Sequence, residues 1–447
     1  FDTAFAAEFS EAALVALTNA GINVLGTPDL ALNDVDVEKM AESWADDPID
    51  ALVVLQATFA DSTLAAACAE TTDAPIVLWG APEPRTGHRL RRNSLCGINL
   101  AAFRLATDEH AYRYVYADPG DPGLAEMLDA ALSEPLSRTE ATTPRAEPSS
   151  SAAGLVDQLA AARIGVVGQH PAGFEPCGFD EDQAQWVTGV TIEQIALDEL
   201  FDVAGSIPDE QLASVRADID ARMDLGDLEQ DSIEPSVRLH AGLRELCESK
   251  EWGAVATRCW PECFTEFGGA ACTAQGLLTT LGIPAQCEAD AYGAITALML
   301  QSAANSVPFT ADLVDIDAES NTAVVWHCGL APFDMAAPGV QPSGTVHSNR
   351  QLPLVSEFAL KAGTVTVARL SQSRGKIRLV LGTAEMLDVA RPFSGTAGTL
   401  RFSRPATDVL HTIMSEGLEH HFGIVYGDVV EELTSVAARL NIDVIEL

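Results

Sequence analysis

Three short stretches of the sequence carry side chains suited to chemistry. In Arg258-Cys259-Trp260-Pro261-Glu262 a carboxylate follows directly on the apolar run 254–257. Cys287-Glu288-Ala289-Asp290 comes after the next apolar run and just before a helix-like segment that begins at Ala291. His420-His421-Phe422-Gly423-Ile424-Val425-Tyr426-Gly427-Asp428 sets two adjacent imidazoles ahead of Gly-flanked apolar residues. Carboxylates at the ends of neighbouring strands can face one another across a cleft, a geometry for a divalent cation or for paired proton transfer. Each stretch also has a plainer reading. Asp290 is well placed to cap the helix that follows it. Adjacent histidines in an extended segment point in different directions, so one of the two at most is expected in a given site.

The elements that must position these groups alternate in type. Over 1–133, a helix at 8–20 precedes a strand at 22–25. A strand at 51–55, a helix at 62–70 and a strand at 75–79 follow. Short apolar strands between amphipathic helices predict a parallel sheet covered by helices. Ligands of such sheets bind beyond the carboxyl ends of the strands, which puts Gln56–Phe59 and Trp79–Glu83 on the functional edge. Residues 133–154, rich in Ser, Thr, Pro and Ala, read as a linker. A second α/β unit begins at 163–168 and runs through a helix at 236–250, a strand at 254–257, a helix at 272–281, a strand at 285–287 and a helix at 291–301. From about Val307 strand-like runs dominate, at 311–316, 322–327, 363–370, 376–383 and 398–402, as in an antiparallel sheet or small barrel. A helix at 428–440 and a strand at 442–447 close the chain. The fold class is therefore α/β, with two parallel-sheet α/β domains (1–150 and 151–306) followed by a β-rich, small barrel-like C-terminal domain (307–447).

Composition narrows the function. The chain holds 447 residues with 65 acidic against 26 basic side chains, a net charge of −39, and only four of the bases are lysines. Such a surface repels itself in dilute buffer. At about 1 M salt the Debye length is near 3 Å and the repulsion is screened, so a halophilic origin is expected. The same charge argues against a nucleic-acid partner, since no basic stripe offsets it. No uninterrupted apolar run of about 18 residues argues for a membrane span, and Phe1-Asp2-Thr3-Ala4-Phe5 does not start an export signal, so a cytoplasmic protein is expected. Nine scattered cysteines without a CxxC pair read as buried, reduced thiols.

Taken in order, the three stretches resemble the L-fucose isomerase family and its L-arabinose isomerase relatives over nearly the whole chain. The resemblance rests on Trp260-Pro261-Glu262, on the run from Cys287 to Ala294 and on the run from His420 to Asp428, with Asn93-Ser94-Leu95-Cys96-Gly97 and Leu78-Trp79 in support. It implies a metal-dependent aldose–ketose isomerase acting on a monosaccharide, a Mn²⁺-type cation (or Mg²⁺ or Co²⁺) and a homo-oligomer, hexamer or trimer. Carried over by motif, the metal ligands are Glu262, Asp290 and His421. The arabinose-type pattern favours Glu262 and makes Glu288 the second carboxylate; the fucose-type pattern favours Asp290 and puts its glutamate near Gln275.

Aldose–ketose interconversion moves one proton between C1 and C2 and another between O1 and O2. A cation on both oxygens stabilises the enediolate, and carboxylates serve as base and then acid. Glu262 and Asp290 are the expected catalytic pair. Trp79 is a candidate to stack on a sugar face or an ordinary packing residue, and His327, with Glu288 and His420, a candidate to touch substrate or a core histidine. A sugar-binding protein without catalysis, or an isomerase or epimerase of an unusual, for instance sulfonated, sugar, are the other readings of the same residues.

Overall fold

In the computed structural model, residues 2–27, 29–44, 47–144, 149–226 and 228–447 are described. Phe1 and the stretch 145–148 of the expected linker lie outside them. Three sheets organise the chain. The first is parallel, β1 (Leu52–Leu55), β2 (Ile76–Gly80) and β3 (Tyr112–Tyr116), in that order. The second is also parallel, with β4 (Arg163–Val167), β5 (Thr191–Ile195), β6 (Ala254–Thr257) and β7 (Ala285–Gln286) in the order β5-β4-β6-β7. Residues 22–25, expected as a strand, join no sheet; Ile22 and Val24 pack instead, half-buried, against the first sheet's core.

The β-rich part contains β8 (Phe309–Asp317), β9 (Thr322–His327), β10 (Ser343–Thr345), β11 (Val355–Ala359), β12 (Gly363–Ser371), β13 (Arg378–Met386), β14 (Thr396–Phe402), β15 (His421–Tyr426) and β16 (Asp443–Glu446). Six of these strands close on themselves. β8, β9, β14, β13, β12 and β15 pair in turn, all antiparallel, and β15 pairs back to β8. The result is a small barrel, which leaves none of these six strands with two open edges. β16 adds parallel to β13, and the β10–β11 hairpin adds through β11 to β14.

Residues expected as a linker are fastened to this barrel. Thr142 and Val444 exchange backbone hydrogen bonds of 2.8 Å, and Arg138 pairs with buried Glu416. From Ser150 the chain is already helical, to Ala161, with Ser149 accepting from Ala152 N at the cap.

The helix Ala291–Ala304 joins the second sheet to the barrel. It packs against β4 and β6 on one side and against β12 and β15 on the other. That double burial explains a sequence without a charged residue, AYGAITALMLQSAA. Its approach to β15 is close: a Cβ at Gly423 would stand 2.6 Å from Leu300 and 3.2 Å from Thr296. Glycine there lets the strand that begins at His421 lie against the helix that begins at Ala291. Among the described residues no helix is long and apolar enough to cross a membrane.

Candidate active site

The site forms where β7 ends, β15 begins and β8 and β9 pass. After Gln286 the chain turns through two consecutive left-handed residues, Glu288 (φ 59°) and Ala289 (φ 58°). For L-residues with a Cβ this costs about 1–2 kcal/mol each, a strain that the surrounding packing must hold. The turn buries Glu288 and leaves Asp290 to cap the next helix, its Oδ1 accepting from Gly293 N at 2.8 Å. A Cβ at Gly293 would stand 2.5 Å from the same carboxylate, so the cap needs glycine there.

Asp290 has no oxygen to spare. Besides the cap, Arg369 holds it with both arms (Nη2 to Oδ1 3.0 Å), and His421 Nδ1 lies 2.9 Å from Oδ2. Both Asp290 and Arg369 are 1% exposed. The Asp290 carboxyl is held well below the usual range: burial opposes this, but Arg369 and His421 outweigh it.

Glu288 is the hub of a second set of contacts. Its Oε1 accepts from Trp260 Nε1 at 3.2 Å, its Oε2 lies 3.1 Å from His420 Nε2 and 3.7 Å from His421 Nε2, and Cys177 Sγ donates to Oε2 at 3.6 Å. The two histidine rings sit side by side, centroids 4.0 Å apart. The expectation that they diverge fails because His420 precedes the strand: β15 starts at His421, so strand alternation does not apply across the pair. Cys177, Glu288, His420 and His421 present donor atoms all within 4.8 Å of one another, and so do Asp312, His327 and His421.

Asp312 stands opposite His421 in the β8–β15 register, its Oδ1 3.6 Å from His421 Nε2 with no hydrogen-bond partner. Burial pushes its carboxyl up to about 6, with the two imidazoles opposing and Glu288 adding to the rise. Glu288 moves the other way: burial raises it, but His420, His421 and His327 together hold it at about 2. His420 is raised, because contact with Glu288 and the charges of Asp312 and Asp290 outweigh burial. His421 is lowered by burial and by the charge of His420. A neutral His421 with its proton on Nδ1, the tautomer that Asp290 selects, keeps the Nε2 lone pair for a cation. His327 Nδ1 accepts from Cys328 N at 2.9 Å, and its buried Nε2 is unpartnered.

Other expected residues lie elsewhere. Glu262 is gripped by both arms of Arg258 at 2.6 Å, and no hydrogen bond or ion pair joins it to Glu288, Asp290 or the two adjacent histidines. Trp79 is not at a free strand end to stack on a sugar. It is fully buried in the central strand of the first sheet, among Val77, Val115 and Leu128, with Nε1 donating to Ala117 O at 2.9 Å. Gln275 donates to Gln286 O at 2.8 Å, behind the site, and its Oε1 is buried without a partner. Glu83 spends both oxygens on the backbone N–H groups of Arg91, Arg92 and Asn93.

Asp312, Arg369 and Cys177 were not singled out from the sequence. The signal for the first two is a charge flanked by apolar residues inside a strand, Asp312 in Phe309–Asp317 (which also carries Asp315 and Asp317) and Arg369 in Gly363–Ser371. A second donor group, Cys272, Cys328 and His347, has thiols 3.2 Å apart. There His347 Nδ1 already accepts from the N–H groups of Asn349 and Arg350.

Comparison with known proteins identifies the family. Residues 1–133 match the fucose/sulfoquinovose isomerase N-terminal domain, and residues 327–447 the L-fucose isomerase C-terminal domain. The sequence is 31% identical to a sulfoquinovose isomerase of Alkalicoccus urumqiensis over 403 residues, 90% of this chain and 86% of that one. It is 29% identical to a sulfoquinovose isomerase of Priestia megaterium over 421 residues, 94% and 90% of the two chains. With both terminal parts matched and the likeness running through most of each chain, this protein belongs to the fucose/sulfoquinovose isomerase family and is an aldose–ketose isomerase, an intramolecular oxidoreductase.

Proposed function

We propose that the chain isomerises sulfoquinovose, a glucose whose 6-hydroxyl is replaced by a sulfonate, to the matching ketose, with a divalent cation at the buried cluster. The observation that carries the reading is the convergence of Glu288 Oε2, His420 Nε2 and His421 Nε2 beside the unpartnered Oδ1 of Asp312. Two imidazoles and a carboxylate fit a Mn²⁺-type ion, and the orphaned buried atoms fit a site that a ligand completes. Glu288, His420 and His421 would hold the ion, His420 giving up its proton as it does so. Asp290 acts one step further out, fixing the His421 ring. Cys177, its thiol pushed well up by burial, stays protonated as a donor to Glu288.

When bound, the ion supplies Lewis acidity at the sugar carbonyl and the adjacent hydroxyl. Asp312 is the proton carrier. With its carboxyl near 6 it is basic enough to take the proton from C2 and acidic enough to return it to C1. The hydroxyl proton passes from O2 to O1, and His327 Nε2–H is available to donate to a sugar oxygen. A homo-oligomer, hexamer or trimer, in the cytoplasm completes the reading.

The test is ketose formation followed by NMR with sulfoquinovose, L-fucose and L-arabinose, on chelated protein and after adding Mn²⁺ or Zn²⁺. Turnover of sulfoquinovose that needs the ion, and that Mn²⁺ restores better than Zn²⁺, supports the reading. Full turnover by metal-free protein, or turnover of the two neutral sugars alone, defeats it. Asp312→Asn separates the roles: it should lower kcat by roughly 10²-fold or more while the bound cation stays stoichiometric.

A further inference from the structure

Between β10 and β11 the chain makes a tight, internally bonded turn. His347 N donates to Leu352 O at 2.9 Å, Gln351 N to His347 O at 2.8 Å, and Gln351 Nε2 to Ser348 O at 2.6 Å. Its base is tied down as well. Ala270 N and Ser236 Oγ both donate to Pro353 O at 2.9 Å, Leu354 N donates to Ser236 Oγ at 2.8 Å, and the His347 ring meets Phe264 edge-on at 5.0 Å. The backbone that carries Arg350 is thus fixed while the residue itself is exposed.

The Arg350 guanidinium lies over the Trp260 ring, 5.8 Å from its centroid, and the same indole donates to Glu288 Oε1. One aromatic side chain therefore touches both a carboxylate of the cluster and a cation. That cation is uncommitted: among the described residues no carboxylate pairs with Arg350, in a chain with 65 acidic side chains to 26 basic ones. The other arginines of this region are spent. Arg258 holds Glu262 and reaches the carbonyls of Gln169 and His170, and Arg369 is buried on Asp290.

We propose that Arg350 anchors the sulfonate of the substrate, an inference that rests on the sulfoquinovose reading above. A sulfonate stays ionised at every pH the protein meets, and a guanidinium offers two parallel N–H groups to two of its oxygens. It sits on C6, away from C1 and C2, and Arg350 lies over the face of the indole whose Nε1 edge meets Glu288. An unpaired arginine gives so acidic a protein a place to admit an anion.

The experiment compares wild type, Arg350→Ala and Arg350→Lys with Mn²⁺ present. Two quantities are read: kcat/KM for sulfoquinovose, and inhibition of that turnover by glucitol, a neutral polyol of the same length. Arg350→Ala should lower kcat/KM by about 10- to 100-fold, the scale of one lost charge-assisted contact. Arg350→Lys should fall between, keeping charge but losing the fork. The glucitol inhibition constant should move by less than about twofold. If kcat/KM is unchanged, or glucitol binding weakens by the same factor, Arg350 does not anchor the sulfonate. If wild type does not turn over sulfoquinovose at all, the underlying substrate reading fails first, and this outcome is distinct from the other two.

Discussion

His421 and Asp290 form a couple in which the carboxylate orients the imidazole, Nδ1 to Oδ2 at 2.9 Å, while Arg369 and the helix cap occupy the rest of the carboxylate. A carboxylate so placed sets the ring's tautomer and supports its cation from one bond away. Asp290→Asn should leave the cap intact, since Asn caps nearly as well as Asp. It should weaken Mn²⁺ binding by about 10- to 100-fold, the range for losing such a support. Glu288→Gln, which alters a direct donor, should cost more. Calorimetric titration of the apo-proteins with Mn²⁺ ranks the two. Equal losses, or a larger one for Asp290→Asn, would mean that Asp290 touches the ion itself.

Glu262 gives a contrasting expectation. Its carboxyl lies below the usual range, chiefly through the hydrogen bonds from Arg258, and the pair is partly exposed. Exposed pairs at this spacing contribute at most about 1 kcal/mol. Glu262→Gln should therefore keep turnover within about twofold and Mn²⁺ binding unchanged. A loss of turnover on the 10²-fold scale of general acid–base catalysis would return Glu262 to the catalytic role that its motif suggested.

How much of this was legible in the sequence depends on the level asked about. The two parallel sheets and the barrel were readable, because apolar runs and their spacing specify them. So was the position of the Cys-Glu-Ala-Asp run just past a strand, whereas the edge expected at Gln56–Phe59 and Trp79–Glu83 does not hold the cluster. Which carboxylate reaches the Nε2 atoms of both histidines was not, because it depends on two left-handed residues, Glu288 and Ala289, that no propensity rule anticipates. Asp312 escaped notice for another reason. Its strand holds three aspartates, Asp312, Asp315 and Asp317, and periodicity does not single out the one that a register set far away in sequence buries opposite His421. For Trp79 the sequence left sugar stacking and ordinary packing both open, because a tryptophan at a strand's end suits either, and the fold buries it in the core of the first sheet.

Glu416 supports a prediction about acid. It is fully buried between Arg378 and Arg138, and although burial raises its carboxyl, the two guanidiniums bring it net below the ordinary value. A carboxyl depressed in the fold contributes stability that is complete above its unfolded value and is lost as pH falls through the folded one. Glu416→Gln should therefore destabilise the fold by about 3–5 kcal/mol near neutrality, because it strands buried Arg378 without its partner. The gap between the two proteins should narrow as pH drops below about 4. Denaturant unfolding at a series of pH values measures both. A gap that stays constant with pH would show that the charge on Glu416 is not what stabilises this junction.

Salt is the last and broadest expectation. A net charge of −39 on 447 residues stores repulsion that grows as ionic strength falls. Near 1 M salt the screening length is about 3 Å and only contacts such as Arg369–Asp290 feel the full field; near 0.1 M it is about 10 Å, and charges spread over the surface repel one another. Folding gathers those charges, so the folded state should lose stability on dilution. The losses should begin where charge is dense and apolar packing thin, as in the helix Asp34–Ala41, where Asp34, Asp36 and Glu38 face one lysine and Val37 is the one buried side chain. The barrel, closed on all six strands, should hold longest. Circular dichroism should show melting temperature falling steadily from molar salt to 0.1 M, with hydrogen exchange rising first in the N-terminal helices. An unchanged melting temperature across that range would mean that the acidic surface is tolerated without salt, and the halophilic reading would be withdrawn.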